Sequence, residues 1–259
     1  STPPATPPTR GIKYQLKVSD LNGAVHIVNI TKKNYTGTIT KIDGGTDDPI
    51  IYSTRIEGDQ DIFPQVIPAQ LQLAIKSETP FMFQELFTND SDTFRVQYYL
   101  NNSIVFVGKI WPQGYSEPYT EYDNYPVSLM ATDGLAELDD LDFVDDLGNR
   151  FYGSQRSIAI IAYALRKLNF SLNIRCVANI YATGMNTAAT DDPLDQAYVN
   201  TDAYYQNDDA LSCLEVIKRI LAPYSATIVQ SVGYWWIIRR EELIASPDYR
   251  EFNPNGQYV

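Results

Sequence analysis

The sequence predicts an α+β protein in two parts, a β-rich N-terminal domain over residues 12–145 and a smaller α+β domain over 146–245. Two observations point there. Up to Phe143, apolar residues alternate with polar ones in short runs separated by turn residues, the period-2 pattern of half-buried antiparallel strands. Beyond it, two stretches carry apolar residues at three- and four-residue spacing, with short strand-like runs around them and no β-α-β repetition.

The opening STPPATPPTR holds four prolines and no large apolar side chain, so residues 1–11 are expected to be a flexible, extended arm or a tag remnant outside any core. Tyr14, Leu16 and Val18 then alternate up to Asn22-Gly23, a dipeptide that tolerates positive φ, and Val25, Ile27 and Ile30 continue the pattern as the second arm of a hairpin. Asp43-Gly44-Gly45 lacks a following Lys-Ser/Thr and a helix, so it is no phosphate cradle. Leu71, Leu73 and Ile75 give a further strand. Residues 94–100 and 104–110 flank Asn101-Asn102 as a second hairpin with Gly108 inside it, and Val127, Leu129 and Ala131 share one face of a strand over 125–131. Gly108 and Gly134 are expected to be structural necessities, marking a bulge, tight turn or close backbone approach.

In the second part, Ile158, Ile161, Ala162, Leu165 and Leu168 follow Ser157 as one stripe of a helix ending near Asn169, and a strand covers 172–177. The polar stretch 182–209 reads as a long excursion and a candidate contact surface. Leu211, Leu214, Ile217, Ile220 and Leu221 form the next helix, with Asn207, Asp208 and Asp209 as its N-terminal caps and Pro223 as its stop. Residues 226–231 and 234–239 flank Val232-Gly233 as a last hairpin, before an irregular tail over 246–259.

Composition excludes several functions. Lys plus Arg is 20 against 32 Asp plus Glu, a formal charge of −12. That is the wrong sign for gripping phosphates, although a carboxylate-lined channel would let a duplex pass without sticking. One histidine, His26, and two cysteines, Cys176 and Cys213, leave little from which to build a soft-metal site or a Ser-His-Asp triad. His26 reads as an ordinary strand residue. The cysteine spacing does not decide whether the two thiols pair, but Cys213 falls on the buried side of its helix. No apolar run approaches the roughly 18 residues of a bilayer span, and neither a signal peptide nor a cofactor is expected.

The densest chemical feature is Glu137, Asp139, Asp140, Asp142, Asp145 and Asp146. Such a run can bind calcium, or supply two carboxylates such as Asp139 and Asp142 for sugar hydrolysis. An EF-hand loop needs Gly at its sixth position, where this sequence has Val144 or Asp145, and a solvated acidic turn is the favoured reading. Residues 89–92 read as a tight turn, and Asp191, Asp192 and Asp195 as exposed. Of the 19 tyrosines, Tyr115, Tyr119, Tyr122 and Tyr125 crowd one loop rich in Pro and Glu. They suit a protein interface better than a sugar-stacking platform. Trp235 and Trp236 occupy successive strand positions, so one faces the core and the other faces outward or a neighbour.

Several segments together carry a family resemblance. Phe81-Met82-Phe83-Gln84-Glu85-Leu86-Phe87-Thr88, Val105-Phe106-Val107-Gly108-Lys109-Ile110 with Pro112, Glu117-Pro118-Tyr119, and Val127-Ser128-Leu129-Met130-Ala131-Thr132-Asp133-Gly134-Leu135 are followed by Cys213-Leu214-Glu215-Val216-Ile217 and Gly233-Tyr234-Trp235-Trp236-Ile237-Ile238-Arg239. Over about residues 12–245 this order resembles the tail-tip or baseplate hub proteins of tailed phages and prophages of Bacteroidetes. The resemblance implies a barrel-like, tube-forming β domain and a small α+β domain. It implies a non-enzymatic virion protein, assembled as a trimer in the bacterial host cytoplasm. That protein would join the tail tube to the distal spike or fibres, contact other tail and baseplate proteins, and let DNA pass without specific binding. Tyr115, Tyr119, Tyr122, Trp235 and Trp236 are then the interface candidates, with Gly108, Asp133 and Gly134 structural. The alternative is a carbohydrate- or receptor-binding module using the loop 115–125.

Overall fold

Apolar alternation builds the first half of the chain into one curled sheet. The structure, a computed structural model, describes residues 9–54, 64–88, 90, 92–118, 123–207, 209–243 and 247–259. The prolines of the N-terminal arm lie outside them, and the first strand begins at Arg10, so the expected arm ends two residues early. The chain forms two units, 1–53 with 69–133 and 54–68 with 134–259, so the division falls at 133 rather than 145 and the second unit takes in a piece of the first half.

The strands of the first half are β1 (Arg10–Ser19), β2 (Val25–Lys33), β3 (Thr40–Ile42), β4 (Ile50–Ser53), β5 (Val66–Ile67), β6 (Gln70–Ser77), β7 (Phe94–Leu100), β8 (Ser103–Ile110) and β9 (Tyr125–Thr132). All but β5 form one sheet in the order β3-β1-β2-β7-β8-β9-β6-β4. Neighbours are antiparallel except β1 and β3. The expected barrel does not close, because β3 and β4 remain as two ends. Residues 43–45, just past β3, do reach β6: Lys76 N–H donates to Asp43 O (2.9 Å) and Gly45 N–H to Ala74 O (2.8 Å), an isolated bridge rather than a ladder.

Register selects the core. Tyr14 and Leu16 lie opposite Ile30 and Val28, which lie opposite Val96 and Tyr98, and Tyr98 lies opposite Phe106. All are buried. On the far side, Leu71, Leu73 and Ile75 face Ala131, Leu129 and Val127 in the same way. In β2 the inward residues are Val28 and Ile30, not Val25 and Ile27, since residues of opposite parity cannot share a face. Gly108 lies opposite Val96 in this inward row. A Cβ there would sit 2.5 Å from Thr132 O and 2.4 Å from Cζ of Phe106, whose ring fills the space. Asp133 is fully buried and pins the point where the chain re-enters the sheet: its N–H donates to Ala69 O (3.0 Å) and its Oδ2 accepts from Ala69 N–H (2.8 Å).

The second unit contains β10 (Ser154–Arg156), α1 (Ser157–Arg166), β11 (Ile174–Val177), α2 (Pro193–Gln196), β12 (Tyr198–Asn200), β13 (Tyr205–Gln206), β14 (Asp209–Ala210), α3 (Cys213–Leu221), β15 (Ala226–Ser231), β16 (Tyr234–Arg239) and β17 (Arg250–Phe252). Its main sheet runs β17-β11-β16-β15-β5. Ile174, Cys176, Ile228, Trp235, Ile237 and Phe252 are buried on this sheet, as are the apolar stripes of α1 and α3. Gly134 opens the unit at φ 81°, leading into a 3₁₀ turn (Leu135–Asp140) that buries Leu135 and Leu138.

Three expectations change here. Ser212, not Asn207 or Asp209, caps α3 by accepting from Glu215 N–H (3.2 Å), Asp209 being paired with Gln206 across a hairpin; Asp208 lies outside the described residues. The stretch 182–209 is not one loop: it holds α2 and β12, and β12 pairs with β10. The tail is not irregular, since β17 pairs with β11 and buries Phe252.

Two substitutions test these turns and contacts. Gly108→Ala is expected to cost about 1–3 kcal/mol in urea unfolding, the range for overpacking a filled core. Val232 is β-branched yet sits at φ 45° beside Gly233 at φ 78°, a turn suited to Asn-Gly. Val232→Asn is therefore expected to stabilise by about 1 kcal/mol, read as a higher Tm.

Candidate interaction surfaces

In the first unit the segment 78–88 is held by two carboxylates. Glu117 accepts three hydrogen bonds: from Phe81 N–H (2.9 Å), from the Tyr115 hydroxyl (2.5 Å) and from the Tyr125 hydroxyl. Burial alone would raise this carboxyl, but the two tyrosines and the Phe81 amide outweigh it and bring it below its ordinary value. Tyr115 moves the opposite way, raised by burial and by donating to a carboxylate. Glu85 accepts from the Tyr14 hydroxyl (2.5 Å) and Lys32 Nζ (2.9 Å) and pairs with Lys13. Burial again pushes up, and hydrogen bonds from Lys13, Tyr14 and Lys32 override it, bringing the Glu85 carboxyl to about 2.

Between these anchors Phe83 and Leu86 point into the core, while Phe81 and Phe87 are 61% and 56% exposed. Phe81 has φ 61°, a left-handed conformation that only a surrounding framework maintains in a bulky residue. Phe87 leans on Tyr115 with ring centroids 6.1 Å apart, and Trp111 is exposed at the head of the same loop as Tyr115. The first unit therefore exposes Phe81, Phe87 and Trp111, with Phe87 packed on Tyr115.

The residues named from sequence fare unevenly. Tyr115 is half-buried and Tyr125 buried, and both hydroxyls are spent on Glu117, so these two do not form an outward sugar platform. Tyr119 and Tyr122 lie outside the described residues. Trp235 is 1% exposed, with Phe170 at 6.4 Å between ring centroids; it is a core residue and offers no surface to a partner. Trp236 is half-buried, donates from Nε1 to Ser231 O (3.1 Å) and packs edge-on against Tyr249. Tyr234, Trp236 and Tyr249 surround the Arg175 guanidinium, 3.4 Å, 5.2 Å and 4.4 Å from the ring centroids, and Arg175 is also paired with Glu251. That aromatic cage already holds its cation.

The acidic run is spent locally in good part. Asp139 accepts from the Ser212 hydroxyl, Asp145 accepts from Leu147 and Asn149 N–H, and Asp146 accepts from the Tyr163 hydroxyl. Among the described residues no group of three or more His, Cys, Asp or Glu is arranged to hold a metal ion. Cys176 and Cys213 are separate buried thiols, and burial pushes Cys213 up to about 11. Asp192 was expected at the surface and is buried, because its side chain turns inward to cap α2. A groove of about 600 Å³ in the second unit is lined by Ile67, Val229, Ile238 and Leu243 among others. No described helix is long and apolar enough to cross a membrane.

Sequence reasoning missed Glu85, Phe81 and Phe87 as individuals. Their only signal is a single carboxylate set in an apolar run, and its partners Lys32 and Tyr14 lie 53 and 71 positions away.

No family model matches the chain, and no curated protein matches it. Among solved structures it is similar to the 43 kDa tail protein of prophage MuSo2 from Shewanella oneidensis, with 14% identity, a TM-score of 0.40, and coverage of 69% of this chain and 46% of that one. It is also similar to a tail protein from Neisseria meningitidis MC58, with 9% identity, a TM-score of 0.40, and coverage of 73% and 44%. The chain thus matches less than half the length of either. A likeness at this level fixes neither a shared fold nor a shared role.

The ionic pinning at Glu85 has a readable pH signature. Its carboxyl is depressed in the folded state, so its stabilising contribution is complete above about 4.5 and is lost as pH falls toward about 2. Glu85→Gln is expected to flatten the acid limb of the stability curve across that window, measured by urea midpoints at successive pH values.

Proposed function

We propose that the chain is a structural protein of a phage tail, placed at the hub of a tail tip or baseplate, and that it works by binding copies of itself and other tail proteins without a catalytic step. One observation carries the reading beyond the sequence resemblance. The segments 81–88, 105–110, 117–118 and 127–133, scattered through the sequence, are physically one framework: Glu117 joins Phe81 to Tyr125, Ile110 pairs with Ala131, and Gly108 leaves room for Thr132 O. That framework holds Phe81, Phe87 and Trp111 outward at fixed positions, which is the chemistry of a preorganised protein interface.

The acidic excess supports the same reading. The runs at 137–146 and 191–209 both lie in the second unit, whose surface would repel a passing duplex rather than hold it. A trimer is the assembly this reading adopts.

Sedimentation of the purified chain over micromolar concentrations is expected to show a trimer, and replacing Phe81, Phe87 and Trp111 together by Ser is expected to shift it toward monomer. Antibody labelling of induced particles is expected at the distal end of the tail. A chain that stays monomeric at every concentration and labels no particle would overturn the proposal. Glycan binding retained by the monomer would instead favour the receptor-binding alternative.

A further inference from the structure

We infer that residues 179–197 form an acid-stabilised latch on the second unit's main sheet, closed while Asp192 carries a proton and loosened when that carboxyl ionises. Asp192 is 1% exposed. Its Oδ1 accepts from Leu194 N–H (2.8 Å) and caps α2, but its Oδ2 has no hydrogen-bond partner among the described residues. A neutral carboxyl tolerates that setting better than an anion, which has more acceptor sites to satisfy.

The groups facing Asp192 come from every side. Arg250 on β17 is the nearby cation, but its Nη1 donates to Asn179 and its Nε is without a partner among the described residues. Cys176 comes from β11, Tyr181 and Asp191 from the segment itself, Tyr224 from the turn after α3, and Asp195 from α2, where it is paired with Arg156. Asp195 disfavours a second negative charge. Burial is the dominant influence, and it raises the Asp192 carboxyl to about 6 even though the α2 cap and Arg250 pull the other way. Burial pushes Cys176, Tyr181 and Tyr224 upward as well, away from this range.

The sign follows from the closed form binding the proton more tightly than the open one. Closure is most favourable below about 4, and it weakens as pH rises through about 6. A carboxyl moved from 3.8 to about 6 changes the closed-to-open ratio on the order of a hundredfold.

The test is amide hydrogen exchange on the full chain between pH 4 and pH 8, corrected for intrinsic rates and referenced to Val216 in α3. Protection at Leu194, Asp195, Gln196 and Ala197 is expected to fall tens- to a hundredfold with rising pH. In Asp192→Asn, which keeps the capping oxygen, it is expected to be flat. Protection that is level or rises in the native chain would overturn the inference, as would a slope that survives in the variant. Should the variant not fold, a carboxyl ¹³C titration of the native chain decides: a midpoint near 6 supports the latch and one at or below 4 sinks it.

Discussion

A side chain in a strand has two ways to point, and the first unit is organised by that restriction. Once Leu16 faces inward, hydrogen-bonded register passes the same orientation to Val28, then to Tyr98 and Phe106. The pleat also decides where no side chain fits. Gly108 stands in the inward row beside Phe106, and a ring of that size leaves its neighbour no volume. The same constraint carries the loops, because Glu117 can meet Phe81 and Tyr125 only if Tyr125 enters β9 in the correct parity.

Carboxylates in apolar settings do a second kind of work. Asp133, Glu85 and Glu117 each accept from donors distant in sequence, and each fixes the geometry of the segments it joins. A carboxylate in such a site has its acceptor capacity filled by defined donors, so the loops it joins have few alternatives. This explains how an exposed Phe81 is kept in a conformation it would not choose alone. Asp192 is the exception, with one oxygen capping a turn and the other without a partner among the described residues.

What could be read from the sequence was local. Asn22-Gly23, Asn101-Asn102 and Val232-Gly233 mark real hairpins because the turn and both strands lie within a few residues of one another. The stripes of α1 and α3 were legible for the same reason. Non-local features were not. β5 has two residues and β17 three, too few for a periodic signal, and their partners lie far along the chain. Ser212 carries no stronger cap signal in the sequence than Asn207 and Asp209 before it, and the pairing of Asp209 with Gln206 shows only in the fold. The burial of Trp235 rather than Trp236 depends on which face of β16 meets the core, a choice that adjacent tryptophans leave open. For the candidate surface, the tyrosine-rich loop was visible, but the spending of its hydroxyls on Glu117 was not.

The edge strand β5 has a consequence in time. Pro64 O accepts from the Thr227 hydroxyl across a separation of 163 residues, and Ile228 pairs with Val66. During translation at roughly 5–20 residues per second, the earlier segment leaves the ribosome about 8–30 s before its neighbour exists. For that interval Val66 and Ile67 have no strand partner, since β15 has yet to be made. This edge of the second sheet can therefore be completed only late in synthesis, once residues 226–231 have emerged.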